Sequence, residues 1–145
     1  MTRPMTEASD LTTLIERLEA AEVGNGELSA LVMQSLVVPG GAVRQSPFNG
    51  AWCVYDGLRL WEQRGGWHRP EGWPTTTSLD AALALAERVL PGWGWCIRTD
   101  DTGQCFANVF PKCPNTDRIY FDVYAATHPL ALCIAILKAT DTGRE

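Results

Sequence analysis

Eight consecutive apolar residues, Leu130 through Leu137, constrain the fold more than any other segment. A helix built from Leu-Ala-Leu-Cys-Ile-Ala-Ile-Leu is apolar on nearly every side, so other elements must enclose it. The run is far too short to cross a bilayer, which takes roughly 20 residues. Thr127 or His128 can cap its start, Pro129 fits its first turn, and Lys138 suits its C-terminal end. With 145 residues, 46% hydrophobic and 20% charged, the chain has material for one domain around that helix.

Three further helices follow from spacing. Ser9 or Asp10 can cap a helix to about Val23, with Leu11, Leu14, Ile15, Leu18 and Ala21 on one face. Gly24-Asn25-Gly26 ends it. A second helix spans 27–37, with Leu28, Leu31, Val32 and Leu36 as its stripe and Pro39-Gly40-Gly41 as its stop. Together, residues 9–37 form a helical hairpin; 1–8 and 140–145 read as flexible tails. Ser78 caps the third helix, with Asp80 in its first turn, Leu79, Ala82, Leu83, Ala86 and Leu90 on one face, and Pro91-Gly92 at its end.

The strands are shorter. Residues 39–50 read as a loop, then 51–55 and 58–62 as a hairpin about Asp56-Gly57. Residues 64–77, with three Gly and two Pro, read as a long loop. Segments 93–99, 104–110 and 118–125 read as three strands. If Thr99 pairs with Gln104, then Trp93 faces Phe110, Ile97 faces Phe106, and Trp95 completes an aromatic seat for helices. The opposite face then carries Cys96, Arg98, Cys105 and Ala107. The third strand, apolar on both sides, is expected to be central. Adjacent strands rather than strict strand–helix alternation predict an α+β fold: an antiparallel sheet of three to five strands with helices packed on it.

Charge narrows the partners. The net charge is −5, and residues 1–40 hold six acids against two bases. An acidic chain gains little from phosphate backbones, which disfavours general nucleic-acid binding. The acidic stripe Glu16, Glu19, Glu22 is ordinarily a solvated face; the alternative is a competitor for a basic groove. The polar N-terminus shows no secretory core, and five irregularly spaced Cys fit reduced thiols in a cytoplasm.

No cofactor, metal or catalytic set is expected. There is no C-x-x-C pair, no zinc-finger His spacing, no G-x-S-x-G elbow, and no phosphate-binding glycine pattern. Cys133 reads as a core thiol, and Asp100-Asp101 as turn chemistry. The most informative stretch is 52–73, where Trp52, Tyr55, Trp61, Trp67 and Trp73 interleave with Arg59, Arg64 and Arg69. Trp and Arg concentrate at protein-interface hot spots and also stack on bases or sugars. The plainer alternative is a cover over an open end of the core.

Three segments carry a resemblance. They are Leu14-Ile15-Glu16-Arg17-Leu18-Glu19-Ala20-Ala21; Thr77-Ser78-Leu79-Asp80-Ala81-Ala82-Leu83-Ala84-Leu85, followed by Pro91-Gly92-Trp93; and Pro129 through Ala139. In order and spacing they resemble the phage ABA-sandwich family, small phage and prophage proteins of α-proteobacteria. The resemblance implies an α/β/α sandwich and a mobile-element origin, and transfers no catalytic residue. The stretch 52–73 departs from the family pattern. The expectation is a non-enzymatic accessory protein in the host bacterial cytoplasm that binds a host or phage protein, with inhibition of a host defence complex as one form. A nucleic-acid-binding module and an unrecognised small enzyme are the alternatives.

Overall fold

The computed structural model describes residues 3–37, 40–45, 52–56, 59–60, 74–111 and 122–143. In chain order the elements are α1 (Arg3–Ala20), α2 (Gly26–Leu36), β1 (Ala42–Gln45), β2 (Trp52–Asp56), β3 (Arg59–Leu60), α3 (Leu79–Val89), β4 (Gly94–Thr99), β5 (Cys105–Phe110), β6 (Val123–Ala125) and α4 (His128–Gly143). The class is α+β, and the strands divide between two antiparallel sheets, β1-β2-β3 and β4-β5-β6.

Helix α4 is the hub. All eight residues from Leu130 to Leu137 are fully buried, as a helix apolar all round requires. It rests on β4, β5 and β6 and packs against α1, α2 and α3, while α2 carries β1 and β2. Thr127 caps it: the Leu130 N–H donates to Thr127 Oγ1 at 3.3 Å.

The helix ends differ in part from expectation. Asn25 caps α2, its Oδ1 accepting from Leu28 N–H at 2.8 Å, and Ser78 caps α3, its Oγ accepting from Ala81 N–H at 3.3 Å. Helix α1 begins at Arg3, inside the stretch read as a tail, and stops at Ala20. Its stripe of Leu11, Leu14 and Leu18 is buried as expected. On α3 the buried set is Ala81, Ala82, Leu85, Ala86 and Leu90, while Leu79 and Leu83 are only half-buried. Helix α2 lies between a sheet and other helices, so Ser29, Ala30 and Met33 join Leu28 and Val32 inside it.

Two strand expectations are corrected. Residues 42–45, read as loop, form β1 and pair with β2 from Ala42↔Tyr55 to Gln45↔Trp52. In the next hairpin Asp56 pairs with Arg59, so Asp56 belongs to the strand rather than to the turn.

The larger correction is a one-residue shift between β4 and β5. Thr99 pairs with Cys105, Ile97 with Ala107, and Gly94 with Phe110. Asp100 causes it. Its N–H donates to the Gln104 carbonyl, its carbonyl accepts from Gly103 N–H, and its carboxylate accepts from Thr102 N–H, Thr102 Oγ1 and Gln104 N–H. Those hydrogen bonds, the Thr102 hydroxyl first, hold the Asp100 carboxyl below its usual range. Gly103, at φ +88°, completes a three-residue loop ending in the left-handed region.

One residue of slip reassigns faces. Trp95, Ile97, Ala107, Val109 and Val123 now share the side that meets α4, and Cys96, Arg98, Phe106, Phe110 and Tyr124 share the other. Phe110 lies over Gly94, where a Cβ would strike its ring. The third strand is an edge rather than the centre: the order is β4-β5-β6, and β6 is three residues long.

Candidate functional site

Pro91 and Gly92 shape a concavity beside the end of α3. Proline has no N–H, so it cannot continue the backbone ladder by donating to the Glu87 carbonyl. Gly92, at φ +82°, turns the chain, and Trp93 N–H donates to the Leu90 carbonyl at 3.1 Å. The chain then enters β4. Between the end of α3 and this strand opens a cleft of about 370 Å³. Leu90, Pro91 and Val109 supply apolar lining, Trp93 and Trp95 are its aromatic residues, and Glu87 is its acidic one.

Trp95 is the unusual member. It shares a sheet face with the buried Val109, yet 46% of its surface is exposed. Sequence reasoning placed it in a helix seat with Trp93, Ile97, Phe106 and Phe110; it does lie on the helix-facing side, but no helix covers it fully. The available signal was Trp93 and Trp95 spaced two apart directly after Pro91-Gly92, where a helix ends and leaves a strand partly uncovered.

The other sheet face carries a stack. The Arg98 guanidinium lies 4.6 Å from the Phe106 ring centroid, and Phe106 meets Tyr124 at 5.2 Å. Tyr124 is half exposed while Phe106 is buried beneath its neighbours. Asn108 donates to Asp122 at 3.1 Å.

The residues singled out in 52–73 are only partly placed. Trp52 is half-buried, packed on the core, with its ring edge 3.5 Å from where a Cβ on Gly26 would sit. Tyr55, of opposite parity, points from the other face of β2, and the Arg44 guanidinium lies 4.4 Å from its ring centroid. The two aromatics are therefore not brought together. Arg59 lies in β3. Trp61, Arg64, Trp67, Arg69 and Trp73 lie outside the described residues.

The thiols are dispersed. Cys96 and Cys105, expected on one sheet face, point to opposite faces after the register shift. Cys105 donates to the Ala126 carbonyl at 3.6 Å, and the His128 imidazole meets the Thr99 hydroxyl at 3.1 Å. Among the described residues no three His, Cys, Asp or Glu side chains group to hold a metal ion, and no helix is long and apolar enough to cross a membrane.

Burial pushes the Cys133 thiol up to about 12, and the thiol donates to the Thr75 carbonyl at 3.2 Å, a bond that only the protonated sulfur can make. That direction is opposite to the one that activates a nucleophile. Because the folded value exceeds the ordinary 9.0, this thiol contributes stability below pH 9 that is lost between pH 9 and 12. Urea melts across that window should fall more steeply for the wild type than for Cys133→Ala. Equal slopes would reject the assignment.

No protein-family model, curated protein or solved structure matches this chain.

Proposed function

We propose that this protein is a phage or prophage accessory factor that acts by binding another protein, with inhibition of a host defence complex, in the manner of an anti-CRISPR protein, as the concrete form. The observation that carries the binding reading is Trp95. An indole left 46% exposed at a cleft retains a large apolar area for a partner to cover. Tryptophan is the residue most suited to that role, because a rigid ring covers much area with few rotatable bonds. The phage origin rests on the resemblance carried by the three helical segments.

The test is retention of a host protein from bacterial lysate by the immobilised chain, followed by affinity measurement with the identified partner. Trp95→Ala should weaken that affinity by about 30-fold, the effect of losing a central interface anchor. Retention of no protein, or equal affinity for both forms, would reject the proposal.

A further inference from the structure

We infer that the Trp93–Trp95 cleft receives an arginine side chain from the partner protein, an inference that rests on the binding reading above. Three independent features of the cleft favour a cation. The first is the charge of its lining residues, which include the acid Glu87 and no base. Arg88, the next residue on α3, does not line it. The second is the C-terminal end of α3, where the helix dipole is negative. Pro91 sharpens this, since it has no N–H to offer the Glu87 carbonyl. The third is the pair of indoles, whose ring faces attract cations.

The cation best suited is a guanidinium. It is planar and weakly hydrated, so it stacks on an indole while its N–H groups reach a carboxylate and backbone carbonyls together. The apolar lining from Leu90, Pro91 and Val109 suits the methylene stem of the same side chain. The chain's net charge of −5 adds long-range attraction for a basic partner segment.

The experiment follows tryptophan indole N–H signals by NMR during titration with N-acetyl-arginine methylamide, its neutral citrulline isostere, and the leucine equivalent. The Trp93 and Trp95 signals should shift with arginine at concentrations about tenfold lower than with citrulline. Glu87→Gln should weaken arginine binding about fivefold and leave citrulline unchanged. Trp95→Ala should abolish the response; should it fail to fold, Glu87→Gln and the citrulline comparison decide alone. Equal binding of arginine and citrulline, preference for leucine, or no indole shift would overturn the inference. A partner that depends on Trp95 without arginine preference would reject this inference and leave the binding reading standing. Arginine preference with no retained partner would reject the binding reading, and with it the partner as the source of the arginine, while leaving the cleft selective for a guanidinium.

Discussion

Gly24→Ala should lower the unfolding free energy by about 3 kcal/mol, within the range for overpacking a closed site plus loss of buried hydrogen bonds. A Cβ on Gly24 would overlap the carbonyl of Thr76, which is backbone and cannot swing aside like a flexible side-chain tip. Thr76 belongs to the turn at 74–77, closed by Ser78 N–H donating to the Pro74 carbonyl at 2.9 Å. That turn is bonded into the α1–α2 junction. Thr76 N–H donates to Ser29 Oγ at 3.0 Å, and Thr76 Oγ1 donates to the Asn25 carbonyl at 3.0 Å. The Thr76 hydroxyl proton is thereby used, so in the 2.7 Å contact between the two hydroxyls Ser29 is the donor. To admit a methyl group the turn must lift, and these buried groups lose their partners. Thermal unfolding should shift down by about 10 °C for a chain of this length. Gly26→Ala is the control. Its Cβ would make ordinary contact with Trp52 at 3.5 Å, and the unfolding free energy should stay within about 1 kcal/mol of wild type. An unchanged midpoint for Gly24→Ala would show that the turn does not dock there.

Leu132→Ala should destabilise by about 3–4 kcal/mol, the usual range when a leucine is truncated in an enclosed core. Leu132 is fully buried, with Leu130, Ile134 and Ile136 equally enclosed along α4. Helices lie on one side of α4 and a sheet on the other, so the surroundings cannot collapse into the space from solvent. Urea denaturation should show a lower midpoint with an unchanged slope. Val23→Ala, at a side chain 64% exposed, should change stability by less than about 0.5 kcal/mol. Equal effects of the two substitutions would contradict the placement of α4.

Helix positions were legible because they rest on local signals. Asn25 lies in the Gly24-Asn25-Gly26 stop and Ser78 before an amphipathic run, and each caps the helix that follows. Strand register was not legible. It turned on whether the β4–β5 loop holds three or four residues, and the Asp100 carboxylate decided that by gathering three donors. The shift took Phe106 and Phe110 off the helix-facing side and separated Cys96 from Cys105. The cleft was hidden for a different reason: Trp95 borders the space left between the end of α3 and β4, which no local pattern reveals. Of the aromatic stretch at 52–73, Trp52 and Tyr55 show how adjacent candidates diverge, since alternation along a strand sends them to opposite faces.

What the sequence by itself determined is the buried α4, the four helices, and the α+β class with antiparallel strands, because periodicity, capping and breakers act over a few residues. Only the tertiary structure decided the division into two sheets, the face each strand presents, the docking of Thr76 on Gly24, and the exposure of Trp95. Those depend on contacts between residues far apart in the chain, whose free energies no local pattern encodes.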